Sequence, residues 1–84
     1  MEIKILGTGC PNCKRLEKIT LEAVADMGIE PKVTKVTDIN GIMAYNILST
    51  PGLVINEQVV SSGRIPAKSQ FSTWLANALA AEEA

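Results

Sequence analysis

Two short β-like runs joined by one long amphipathic segment leave a chain of this kind few ways to fold. Residues 2–6, Glu2-Ile3-Lys4-Ile5-Leu6, carry β-branched residues at their centre and read as a strand. Lys32-Val33-Thr34-Lys35-Val36 alternates again. Between them Leu16, Ile19, Ala23, Val24 and Met27 share one helical face, while Lys14, Lys18, Glu22 and Asp26 lie elsewhere on the wheel. Pro11 suits a first helical turn, and Gly28 followed by Pro31 supplies the stop. The spacing predicts a helix over 11–27. Strand, helix, strand in that order requires a crossover, so the two strands should run parallel with a right-handed connection.

The rest of the chain adds a second half. Asp38 is a candidate N-cap for a short helix over 39–47, with Ile39, Ile42, Met43 and Ile47 as its apolar stripe and Gly41 weakening it. Leu48-Ser49-Thr50-Pro51-Gly52 breaks the pattern and leads into the β run Leu53-Val54-Ile55. Asn56-Glu57 is a candidate two-residue turn, although Glu sits where glycine is usual. Gln58-Val59-Val60-Ser61 returns and Gly63 ends it. Pro66 opens a last helix with Phe71, Trp74, Leu75, Ala78 and Leu79 at core spacing, and residues 80–84 should fray. The order β-α-β-α-β-β-α predicts an α/β fold: one mixed four-stranded sheet with its first strand near the middle and helices on both faces.

Eighty-four residues suit a single domain, 1–84, with one core. No apolar run approaches the ~18 residues of a membrane span, and Met1-Glu2-Ile3-Lys4 has no leader character, so a cytoplasmic location and no membrane partner are expected. A net charge of −1 with interspersed signs argues against nucleic acid as a partner. Histidine is absent. The commonest general base and the commonest metal ligand are therefore both missing, and cysteine and carboxylate chemistry remain.

Both cysteines, Cys10 and Cys13, stand in Gly7-Thr8-Gly9-Cys10-Pro11-Asn12-Cys13-Lys14-Arg15, where the first strand gives way to the helix. A disulfide across so small a loop does little for chain entropy, so a structural staple explains the pair poorly. At a helix N-terminus the dipole favours a thiolate. A free thiol, with a pKa near 8.5, is about 3% ionised at pH 7; lowering it to about 7 brings that to about half. Cys10, just before the helix, is the candidate nucleophile, and Cys13, in the first turn, the candidate resolving thiol. Lys14 and Arg15 add positive charge one turn along. Redox exchange and soft-metal binding both use two such thiols. A copper or arsenic carrier of the ferredoxin-like type is the alternative, but that fold ends on a strand and carries Met-Thr before its first cysteine. A scaffold that merely binds partners is poorly motivated with both thiols present.

The element order, Cys10-Pro11-Asn12-Cys13 after the first strand and Thr50-Pro51 before the hairpin together resemble the thioredoxin fold in its shortest form. The chain is most similar to the small thioredoxin-like, redox-active disulfide proteins of archaea and bacteria, over nearly its whole length. Gly7-Thr8-Gly9-Cys10, Cys13, Pro51-Gly52-Leu53 and Gly63-Arg64 carry that likeness. The resemblance implies a thiol–disulfide oxidoreductase that reduces protein disulfides, is recharged by a thioredoxin reductase-type donor, and needs no cofactor or metal of its own; a monomer is expected. It also implies a cis Pro51 packed against the disulfide, and Thr50, Thr8, Gly9, Pro11 and Asn12 as substrate-binding positions. Pro-Asn between the cysteines and the absence of tryptophan before Cys10 depart from the usual pattern. Full thioredoxins also carry a buried acid six residues before the first cysteine, and here Lys4 stands there. Cys13 thus has no evident proton partner apart from water, substrate or Lys4.

Overall fold

The computed structural model describes residues 1–47 and 49–83. The chain runs β1 (Glu2–Leu6), α1 (Pro11–Met27), β2 (Lys32–Val36), α2 (Ile39–Met43), β3 (Gly52–Ile55), β4 (Gln58–Ser62) and α3 (Lys68–Glu83). The sheet order is β2-β1-β3-β4. β1 pairs in parallel with β2, Ile3 opposite Val33, and antiparallel with β3, Leu6 opposite Gly52. The expected mixed sheet is therefore the observed one. Asn56 and Glu57 both take positive φ (50° and 67°) in the β3–β4 turn, the type I′ geometry that matches strand twist.

Strand alternation divides the sheet into two faces. Ile3, Ile5, Leu53 and Ile55 meet Leu16, Ala23 and Val24 of α1 and Phe71 and Leu75 of α3 in the main core. Leu6 and Val54 point the other way, where Ile42 of α2 joins them, flanked by Val36, Tyr45 and Ile47. The stripe read along α1 is the buried one, with Ile19 and Met27 at its margin. Thr20 joins it fully buried because its hydroxyl donates to the Leu16 carbonyl at 2.8 Å, which satisfies the polar group locally.

Two elements differ from expectation. α2 ends at Met43, four residues short of the expected end, because Asn46 turns into the left-handed region (φ 57°) and breaks the helical path. Ile39 and Met43 do not join a core stripe: they are 62% and 64% exposed. Leu48, in the break that follows, lies outside the described residues. α3 starts at Lys68, with Phe71 N–H bonded to the Ala67 carbonyl, so Pro66 precedes the helix instead of opening it. Within α3, Phe71 and Leu75 fill the core, whereas Trp74 is half-buried against its edge. Helical geometry continues through Glu83. Glu82 meets the Met1 ammonium at 3.1 Å, giving the last turns a tertiary contact; Ala84 lies outside the described residues.

Candidate active site

The site begins where β1 ends. Gly7 N–H bonds the Val36 carbonyl at 3.0 Å, fixing the strand end against β2. Gly9 then turns the chain at φ 88°, a conformation that favours glycine. Cys10 follows as the N-cap of α1: its backbone is extended (φ −67°, ψ 163°) and its Sγ accepts a hydrogen bond from Cys13 N–H at 3.2 Å. A sulfur thus occupies the place that a Ser or Asp oxygen takes in most helix caps. Pro11 is the first helical residue and gives up an N–H that had no helical partner. Cys10 and Cys13 are joined by a disulfide, with their Cα atoms 5.0 Å apart.

The two sulfurs have different surroundings. Cys10 is partly exposed, whereas Cys13 is buried, at 6% exposure. Cys13 Sγ lies directly against Gly7, so a methyl group placed on Gly7 would overlap the sulfur. The two glycines have separate jobs: Gly9 makes the turn and Gly7 makes room for Cys13. Nothing local in the sequence distinguishes them.

The segment before β3 holds the other candidate site residues. The Thr50–Pro51 peptide is cis. Pro51 is buried, and its carbonyl accepts Gly63 N–H at 2.9 Å. The Leu6–Gly52 pairing sets Gly7 and Pro51, the next residue on each segment, at the same end of the sheet. Thr8 and Thr50 line one groove of about 230 Å³ together with Ile39, Ile42, Met43, Ile47 and Ser49. The exposed faces of Ile39 and Met43 therefore border a cavity that also reaches both threonines. Gly9 lines a different cavity, about 120 Å³, on the Cys13 side of the loop with Gly7, Ile5, Lys14, Glu17, Lys35 and Thr37. Pro11 and Asn12 are exposed in the first turn of α1. A larger cavity of about 350 Å³, lined by Val60, Arg64 and Trp74 among others, includes neither cysteine nor Pro51. Among the described residues no three His, Cys, Asp or Glu side chains gather as a metal-ligand group.

Lys4 does not face Cys13. It alternates with Ile3 and Ile5, and its ammonium reaches toward the hairpin end of the sheet. There it donates to Glu57 Oε1 at 2.6 Å and Tyr45 Oη at 2.7 Å, while Tyr45 Oη donates to Glu57 Oε2 at 3.0 Å. Glu57 holds the Lys4 ammonium well above the usual lysine range, with Tyr45 adding to the effect. The Glu57 carboxyl is held below its ordinary 4.5 by Lys4 first and Tyr45 second. A lysine held this firmly in its charged form is unsuited to shuttle the Cys13 proton. Tyr45 closes this triangle, which also explains Glu57 at a turn position where glycine is usual.

A pH dependence follows. The lowered Glu57 pKa contributes stability that is present above about 4.5 and lost as pH falls through the folded value; the raised Lys4 pKa contributes stability lost only above its ordinary 10.5. Glu57→Gln keeps the backbone strain of φ 67° and removes the charge. Its melting temperature should lie below wild type by a constant margin from about pH 6 to 9, and the margin should shrink as pH falls below the ordinary 4.5 of the carboxyl. Thermal melts across pH check this; an undiminished margin at pH 3 would exclude the ion pair as its source.

Known proteins resemble this arrangement in sequence and in fold. A family model described as a thioredoxin domain matches residues 1–76. A thioredoxin of Methanothermobacter thermautotrophicus is 35% identical over 75 residues, covering 89% of this chain and 97% of the relative. A thioredoxin of Methanocaldococcus jannaschii is 36% identical over 73 residues, covering 87% and 84%. Among solved structures, thioredoxin 1 of the thermophilic eubacterium Thermosipho africanus superposes with a TM-score of 0.61 over the full length of both chains at 18% identity, a likeness of fold.

Proposed function

We propose for this chain, which belongs to the thioredoxin family and is a thiol–disulfide oxidoreductase, a reductive cycle on protein disulfides in which Cys10 attacks and Cys13 resolves. The observation that carries this assignment is the unequal setting of the two sulfurs. Cys10 is partly exposed and caps α1 through its Sγ, while Cys13 is buried behind it. A thiolate at Cys10 keeps the Cys13 N–H donor and gains the helix dipole, both of which favour the anion.

In the first step Cys10 thiolate forms a bond to one substrate sulfur, and the substrate S–S bond breaks to release a thiolate that takes a proton. In the second, Cys13 loses its proton and attacks Cys10 Sγ. The Cys10–Cys13 bond forms, the mixed disulfide breaks, and the second substrate thiol departs. The substrate gains two electrons and two protons; the protein pair gives up the two electrons and the Cys13 proton, and solvent supplies the other proton. A reductase-type thiol donor would reverse the change at the protein. Thr8 and Thr50, with the cis Pro51 between the groove and β3, would receive the extended substrate segment; Gly9, Pro11 and Asn12 would border it on the α1 side. The ferredoxin-like metal-carrier topology ends on a strand, whereas this chain closes with α3. We place residues 1–84 as one cytoplasmic, monomeric domain.

Equilibration of the Cys10–Cys13 pair in dithiothreitol or glutathione buffers tests the direction of this cycle. A reduction potential near −270 mV or below fits a reductant, whereas one above about −150 mV would assign the protein to the oxidising end of its family.

A further inference from the structure

The resolving step requires that a buried thiol lose its proton, and the upstream position where Lys4 stands supplies no acceptor. The cavity behind Cys13 does. Cys13 and Glu17 stand four residues apart on α1, a spacing that sets side chains on the same face with Cβ atoms about 5–6 Å apart. Both line the cavity of about 120 Å³, together with the buried Ile5 and Gly7 and the exposed Gly9, Lys14, Lys35 and Thr37. That volume accommodates about four waters at the liquid share of roughly 30 Å³ each, and the polar lining residues offer them hydrogen-bonding partners. Glu17 is itself held there: its Oε2 meets Lys35 Nζ at 3.2 Å, tying α1 to the end of β2.

The charged groups that face Cys13 are few. α1 brings Lys14 and Glu17, β2 brings Lys35, and β1 and the Gly7–Gly9 loop bring none. Among the described residues of the segment before β3, Ser49, Thr50 and Pro51 are uncharged. Glu17 is the one carboxylate on the cavity wall, flanked by two ammonium groups. We propose that Glu17 accepts the Cys13 proton through water in this cavity during resolution and returns it when the pair is reduced, with Lys35 positioning the carboxylate. This rests on the assignment of Cys10 as attacking and Cys13 as resolving thiol. In the oxidative direction the proton leaves Cys13 Sγ for Glu17, the electron pair left on Cys13 forms the bond to Cys10, and the departing substrate thiolate takes a proton from solvent.

An aromatic disulfide that releases a coloured thiolate separates the two steps. Mixed with reduced protein, it should give one thiolate in a second-order phase as Cys10 attacks and a second in a concentration-independent phase as Cys13 resolves. Glu17→Gln should slow the second phase by at least about tenfold near pH 7, below the full range for general-base catalysis because water remains as acceptor. It should leave the first phase within about twofold. Lys35→Gln retains the carboxylate and should slow the second phase less than Glu17→Gln does. A second phase in Glu17→Gln that matches wild type would overturn the proposal, as would equal slowing in Glu17→Gln and Lys35→Gln, which marks the pair as a strut. If wild type itself shows no concentration-independent second phase, the Cys10–Cys13 assignment fails instead.

Discussion

Cys10→Ser should lower disulfide reductase activity to the uncatalysed background, a loss of about 10³-fold or more, while the protein remains folded. The fold is expected to survive because serine is among the preferred N-cap residues, and a hydroxyl at residue 10 can still accept Cys13 N–H, which now bonds Cys10 Sγ at 3.2 Å. Cys13→Ser should fail differently. Its attacking sulfur is intact, so it should form one equivalent of mixed disulfide with a protein substrate and then stall, and the adduct should be visible by mass spectrometry until a reducing thiol is added. Turnover assays with both variants, accompanied by thermal melts, read the two roles separately. Stalling by Cys10→Ser and full loss without an adduct in Cys13→Ser would reverse the assignment.

Phe71→Ala should be the most damaging change outside the site. Phe71 is fully buried and leads the largest fully buried side chains, in the cluster where α3 closes over Ile3, Ile5 and Leu16. Truncating such a phenylalanine costs about 3–5 kcal/mol. A chain of 84 residues has in all only about 4–13 kcal/mol of stability. The melting temperature should therefore fall by roughly 15–30 °C, and the variant would unfold near room temperature if the wild type lies at the low end. Trp74→Phe, three residues on at the half-buried margin, is the internal comparison and should cost less than about 1.5 kcal/mol. Melts of both variants decide this; a Phe71→Ala shift as small as that of Trp74→Phe would move the centre of the core elsewhere.

How much of this was legible in the sequence depends on whether the cause lay within one element. β1, α1 and β2 came through with their boundaries because alternation, a helical stripe and flanking Pro and Gly are local signals. α2 did not. Ile39 and Met43 have helical spacing with Ile42, but periodicity reports a shared face and is silent on what stands opposite it; here most of that surface borders a groove. Asn56-Glu57 was recognisable as a turn, yet the reason for glutamate there involves Lys4 and Tyr45, 53 and 12 residues away. The fate of Lys4 was legible in part, since strand alternation already sets it on the face opposite Ile3 and Ile5. Pro51 belonged to the site only through family resemblance, because β1–β3 register is not written in either strand alone. Glu17 was passed over for a related reason: its neighbour Lys35 is on another element, and helix wheels show charges only as a solvated face.

The sheet order carries one more consequence. β1 and β3, the strands that lead into and out of the candidate site, are the two interior strands, each hydrogen-bonded on both sides, while β2 and β4 take the edges. Amide exchange and fraying concentrate at edges and loops, where fewer bonds must open together. The cysteines follow β1 by a few residues and Pro51 immediately precedes β3. The cysteines and Pro51 are thus tethered to the two strands whose backbone amides should exchange last.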